Sequence, residues 1–208
     1  MRSKDPWYMG VTLRYGPDGS VFTSDWYDTG ECHGVKNTRR ETGRIYKISY
    51  GEPKRETVDF AKLSDKELVE KQLHKNDWHV QHARRLLQER LAAGQDMNEV
   101  AGQLRTMFAE QVEVPKKLRA LWALHAVGQL NDALLIEQLS HESESIRSWA
   151  IRLLCEDREP PAAALARFAM LAAKDPSPYV RLYLSSCLQR LKAEDRWDIA
   201  EALIQRTE

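Results

Sequence analysis

All 21 alanines of this 208-residue chain lie beyond residue 60, and so do 23 of its 24 leucines. The first 60 residues hold one leucine, Leu13, with seven of the ten glycines and nine of the seventeen aromatic residues. Alanine and leucine are the strongest helix formers, whereas aromatic residues suit pleated surfaces. A switch this abrupt predicts two kinds of structure in series: a turn-rich β element over 1–60 and a helical domain over 61–208. The fold class expected is mainly α, with a small antiparallel β element at the N-terminal side.

Charge and cysteine usage narrow the function. The chain carries 31 basic and 31 acidic residues, split ten against nine before residue 61 and 21 against 22 after it. Neither part offers the basic excess of a nucleic-acid binder, so no nucleic-acid partner is expected. No apolar run approaches the ~20 residues of a membrane helix, so no transmembrane segment is expected. The first ten residues lack the apolar core of a secretory signal, which leaves the location of the chain itself open. Cys32, Cys155 and Cys187 are too scattered for a disulfide framework, and no CxxC or CxxCH spacing occurs. No metal site is predicted.

Beyond residue 60 the helical signal repeats. Residues 74–87 align without gaps on 141–154, placing His74 on His141, Ala83 on Ala150, Arg85 on Arg152 and Leu86-Leu87 on Leu153-Leu154. Residues 174–188 superpose Val180 on Ile146 and Arg181 on Arg147, and residues 118–126 place Arg119 on Arg147. Equivalent small or apolar positions fall at 83, 122, 150 and 184, a spacing within the window of helical repeats. Each copy is preceded by a second helical segment: 64–74, opened by the capping box Ser64-Asp65-Lys66-Glu67, then 97–112, 131–139 and 161–173. A last helix is predicted over 195–206. Paired helices with apolar faces too wide to bury alone stack on their neighbours. The pattern best seen in Asp175-Pro176-Ser177-Pro178-Tyr179-Val180-Arg181 resembles HEAT repeats. The resemblance implies an α-solenoid of four to five helix pairs over 62–208.

Before residue 60, strands are predicted over 11–15 and 20–24 around the turn Gly16-Pro17-Asp18-Gly19, and a third over 43–49 after a long polar loop. Three strands are at the lower limit of independent stability, and one face needs a partner. The string from Leu13 to Asp28 with Gly43-Arg44-Ile45-Tyr46-Lys47-Ile48 resembles the last blade of glucose/sorbosone-dehydrogenase-like β-propellers. That blade followed by Leu63-Ser64-Asp65, His74-x-Asn76-Asp77-Trp78 and Ala83-Arg84-Arg85-Leu86-Leu87 is similar to the bacterial PVC-type membrane-bound dehydrogenase family. The resemblance implies a C-terminal part of such a protein: a partial propeller blade over 1–60 and HEAT repeats over 61–208, with the earlier blades elsewhere. For the parent family it implies pyrroloquinoline quinone and calcium, haem c on a CxxCH segment absent here, and a periplasmic or membrane-associated location. No cofactor is expected for this chain, and its catalytic residues are unknown.

By analogy with a propeller rim, Asp5, Asp28, His33, Arg39 and Arg40 share the face where propellers place ligands. On the helices, Arg84, Arg85, Arg147, Arg152 and Arg181 are candidates for an interaction edge, set against a solvated or inter-repeat structural role. His79 and His82 could share a helix face, but no third metal ligand accompanies them. His74 and His141 read as turn caps, Trp122 and Trp149 as core fillers, and Cys155 and Cys187 as inert buried thiols. The function expected is a non-catalytic docking scaffold of a quinone-dependent sugar or alcohol dehydrogenase, its partner the propeller or another protein. The competing expectation is a free-standing HEAT interaction module with a β cap.

Overall fold

The computed structural model describes residues 8–26, 43–54 and 57–206. The chain divides into two compact units, Met1–Leu86 and Leu87–Glu208. It is mainly helical, with one small three-stranded antiparallel sheet.

In the first unit the strands are β1 (Gly10–Tyr15), β2 (Val21–Asp25) and β3 (Arg44–Ile48), hydrogen-bonded in the order β1-β2-β3. All three fall within one residue of the segments expected from alternation. The β1–β2 link is tight: Gly19 N–H donates to Gly16 O at 3.1 Å, and Gly16 N–H to Ser20 O at 2.8 Å. Gly19 has φ of 79°, a conformation that costs glycine nothing and any β-carbon-bearing residue something. Cross-strand pairing of Tyr15 with Val21 and of Val21 with Ile48 puts these three side chains in one row of one face, with Leu13 two residues along. These four remain 42%, 37%, 40% and 66% exposed respectively, while Thr23 on the same face is buried, its Oγ1 3.1 Å from Tyr8 Oη.

A single 3₁₀ turn (Phe60–Lys62) leads to α1 (Asp65–Glu70). The expected capping box is formed: Glu67 N–H donates to Ser64 Oγ at 3.3 Å, and Ser64 N–H to Glu67 Oε2 at 2.8 Å. The Ser64 N–H and hydroxyl, both donating to Glu67 Oε2, hold that carboxyl below its ordinary value. The helix tightens to 3₁₀ over Lys71–Leu73, so the predicted helix over 64–74 is six α residues followed by three 3₁₀ residues. The next helix, α2, is Asp77–Ala92, and its sequence spans the division between the units. The composition switch at 60 and the packing division at 86/87 are therefore different boundaries. The first helical residues, through Leu86, fall in the same unit as the sheet.

The second unit contains α3 (Asn98–Glu110), α4 (Val114–Ala126), α5 (Asp132–Gln138), α6 (Glu144–Leu154), α7 (Ala162–Lys174), α8 (Pro178–Cys187) and α9 (Trp197–Ile204). Starts and stops follow local chemistry. Asn131 caps α5 by accepting from Leu134 N–H at 2.9 Å, Ser177 caps α8, and proline stands in the first turns of α4 and α8. Gly128, with φ of 64°, follows α4 and lets Gln129 N–H close on Leu124 O. The helix α3 packs on α4, α5 on α6, α6 on α8 and α7 on α9. Their shared core includes Leu121, Leu139, Ile146, Ile151, Phe168 and Leu184, all fully buried. Trp122 and Trp149 are half-buried rather than central, meeting edge to face at 4.8 Å on the margin of that core.

Candidate functional site

Three repeat-equivalent positions share one device. His74 Nδ1 accepts from Asn76 N–H at 3.0 Å, His141 Nδ1 from Ser143 N–H at 2.9 Å, and Asp175 Oδ1 from Ser177 N–H at 2.9 Å. Each acceptor binds the amide two residues on, and each time the next helix begins directly afterwards, at α2, α6 and α8. The sequence reading of His74 and His141 as turn caps describes this contact; Asp175 does the same work with a carboxylate.

In the first unit the turn before α2 grips the sheet. Asn76 Nδ2 donates to Gly16 O at 2.9 Å and to Pro17 O at 3.0 Å, while its Oδ1 accepts from Trp78 N–H at 3.0 Å. One side chain thus caps α2 and clasps the β1–β2 turn. Buried His79 reaches Pro17 O through Nε2 at 3.2 Å, and its ring lies 4.0 Å from that of His74. Tyr15 Oη donates to Asp77 Oδ2 at 3.2 Å. His82 is turned elsewhere, stacked on Trp78 at 3.9 Å with Nδ1 against Trp78 O. The i, i+3 spacing of His79 and His82 therefore does not bring two ring nitrogens to one point. Among the described residues there is no group of three or more side chains able to hold a metal ion.

In the second unit the centre is Arg147, buried although it is an arginine. Its Nε donates to Asp175 Oδ2 at 2.8 Å and its Nη2 to Asp175 Oδ1 at 2.9 Å, a bidentate pair between adjacent turns. Its Nη1 donates to His141 O at 2.8 Å and Glu142 O at 2.9 Å. Arg181, its repeat equivalent, makes the matching contact: Nη1 donates to Asp175 O at 2.9 Å, six residues back as in Arg147 to His141. The Arg206 guanidinium also donates to Asp175 O. Ser177 Oγ donates to Glu144 Oε2, joining the first turns of α6 and α8. An open groove of about 400 Å³ runs beside this network, lined by His141, Arg147, Arg167, Lys174 and Asp175.

The five arginines named from sequence are thus placed as follows. Arg147 and Arg181 are engaged with turn carbonyls and Asp175. Arg152 is exposed and stacks on Trp149 at 4.8 Å. Arg84 and Arg85 belong to the first unit, Arg84 half-buried and Arg85 exposed. The rim candidates Asp5, Asp28, His33, Arg39 and Arg40 lie outside the described residues, as does Cys32. Sequence reasoning missed Asp175 as the partner of Arg147. The usable signal was the superposition of 141 on 175, which marks Asp175 as a turn acceptor in the copy after Arg147.

Burial, with the nearby Lys117 charge adding to it, lowers the His141 pKa below the ordinary histidine value. The folded chain therefore resists a proton that the unfolded chain accepts near pH ~6.5. Stability from this site is full above that range and is lost as pH falls through it. Thermal unfolding followed from pH 8 to pH 5.5 is expected to show a falling Tm, and His141→Asn, which keeps an acceptor for Ser143, to flatten that fall. The carboxyls of Asp18, lowered by its Lys47 contact, and Glu67 act only at lower pH. An unchanged slope in the His141→Asn protein would remove this assignment.

No helix among the described residues is long and apolar enough to cross a membrane. Comparison with known protein families, curated proteins and solved structures finds no match to this chain.

Proposed function

We propose that this chain is a docking scaffold: a stack of HEAT-like helix pairs that carries, at its N-terminal side, a sheet built to pack against further β structure. The observation that carries this is the part-exposed apolar pair Val21–Ile48 with Leu13 beside it on the same face. Leu13, Val21 and Ile48 keep 66%, 37% and 40% of their surface exposed, apolar area that a further β layer would bury. The resemblance to the last blade of a dehydrogenase propeller supplies the kind of layer, a neighbouring blade. On that reading the chain is a non-catalytic C-terminal part of a quinone-dependent sugar or alcohol dehydrogenase.

The HEAT-like reading is supported by the helix contacts. Successive even-numbered helices α4, α6 and α8 pack on one another, and so do α5, α7 and α9, as expected of paired helices stacked in two rows. The repeated turn acceptor and the matching Arg147 and Arg181 contacts add a chemical repeat to the geometric one. The second reading, a free-standing interaction module capped by the sheet, is favoured by the Asn76 and His79 clasp on the β1–β2 turn, which ties the strands to helices of this chain.

One experiment on the full chain separates the two readings. Under limited proteolysis the scaffold reading expects early cleavage within residues 8–54 while 62–208 survives, and no dye-linked oxidation of sugars or alcohols with added quinone and calcium. Turnover by the isolated chain would refute the scaffold reading. A sheet as resistant as the helices would favour the capped module.

A further inference from the structure

The two cysteines of the second unit lie 32 positions apart in sequence and come together in space. Cys155 closes α6 as its C-cap residue, and Cys187 is the last residue of α8. Both are free thiols, and both are buried within the same hydrophobic cluster. Both side chains line one cavity where α6 packs on α8. In the neutral pair the Cys187 thiol also reaches Leu184 O at 3.0 Å. Two thiols lining one cavity at the ends of two packed helices differ chemically from two inert apolar side chains, because each can act on the other.

Buried as they are, both thiols border a cavity. A cavity of about 490 Å³ is lined by Cys155 and Cys187 together with Arg152, Tyr183, Ser186 and Arg190. The two guanidinium groups are held in place there: Arg152 stacks on Trp149, and Arg190 meets Glu156 at 3.4 Å. A small polar oxidant entering this space comes against the wall that holds both thiols, beside cationic and hydroxyl donors. The pair is also asymmetric. The hydrogen bond from Cys187, with the Arg190 charge adding to it against burial and the Asp157 charge, lowers the Cys155 thiol pKa. The same hydrogen bond, with burial, pushes the Cys187 thiol up. Thiolate character marks the attacking sulfur, so Cys155 is the nucleophile and Cys187 the resolving partner.

We propose that Cys155 and Cys187 form a peroxide-sensitive dithiol site that closes reversibly to a disulfide joining the ends of α6 and α8. The Cys155 thiolate attacks one oxygen of hydrogen peroxide, the O–O bond breaks, and the departing hydroxide takes the proton Cys155 had released and leaves as water. Cys155 is then a sulfenic acid. The Cys187 sulfur attacks the Cys155 sulfur; the S–S bond forms, the S–O bond breaks, and the departing oxygen takes the Cys187 proton to leave as a second water. The two thiols have given up two electrons and two protons, and peroxide has become two waters. A dithiol reductant returns both electrons and both protons.

The test uses the full chain carrying Cys32→Ser, so that only this pair can react. Brief hydrogen peroxide treatment of the folded protein is expected to remove two hydrogens from the intact mass. A non-reducing peptide map should then link the Cys155 and Cys187 peptides, and dithiol reductant should undo the link. Adding Cys187→Ser should stop the reaction at a sulfenic acid on Cys155 that dimedone traps. Adding Cys155→Ser should leave Cys187 unlabelled. Oxidation of the paired protein to sulfinic acid with no linked peptide would overturn the proposal. So would a link that forms only in denaturant, or equal dimedone labelling of the two single-cysteine proteins. The peptide map of the paired protein decides the matter even where a serine variant does not fold.

Discussion

Arg147→Met is expected to destabilise the second unit by about 3–5 kcal/mol, the usual cost of removing one partner from a buried ion pair. The side chains of Arg147 and Asp175 are 11% and 3% exposed, so water can replace little of what is lost. The substitution takes the bidentate Arg147 donor from the Asp175 carboxylate and from the carbonyls of His141 and Glu142. Denaturant unfolding followed by circular dichroism should show the midpoint fall with little change in slope. Adding Asp175→Asn to Arg147→Met should recover part of the loss, because asparagine carries no charge yet can accept from Ser177 N–H. A coupling of about 1–3 kcal/mol is expected for groups in direct contact. A loss within ~0.5 kcal/mol for Arg147→Met alone would mean that the pair behaves as a surface contact.

Asn76→Ala carries the second large effect, about 2–3 kcal/mol on the first unit. It removes a helix cap worth about 1 kcal/mol and two hydrogen bonds worth about 1 kcal/mol each. The sheet should loosen with it, seen as faster amide exchange through β1 and β2. Asn76→Asp sharpens the test. Aspartate keeps the oxygen that accepts from Trp78 N–H but has no donor for Gly16 O and Pro17 O, and it aims negative charge at both carbonyls. It is expected to be at least as unstable as the alanine protein despite retaining the cap. Wild-type stability in Asn76→Asp would show that Asn76 acts through the helix alone.

The contrast between these two sites and the rest of the chain explains what could be read in advance. The capping box at Ser64 and Glu67 was legible because all its partners lie within four residues. The strands were legible because alternation and the Gly16–Gly19 turn are local signals. The turn acceptors His74 and His141 were legible through superposition of one segment on another. The Arg147–Asp175 pair was not, because alignment shows which residues are equivalent and not which ones touch across adjacent copies. The cavity shared by Cys155 and Cys187 was hidden for the same reason: each sits in an apolar helical context that reads as ordinary core. Asn76 was quoted as part of a motif, yet its grip on a turn some sixty residues earlier comes only from the tertiary fold. His79 and His82 show the converse failure. Helical spacing put them on one face, but partners outside the helix turned one ring toward Pro17 and a neighbouring indole held the other.

The mismatch between the composition switch at 60 and the packing division at 86/87 bears on how such a chain can be cut or recombined. A graft that began at the first alanine would carry Asn76 and His79 away from Gly16 and Pro17. Its donors would face water, and the strands left behind would lose the clasp on their hairpin. The sheet shares its packing unit with α1 and the first turns of α2, so a cut that respects packing falls inside a helix rather than at the change of composition.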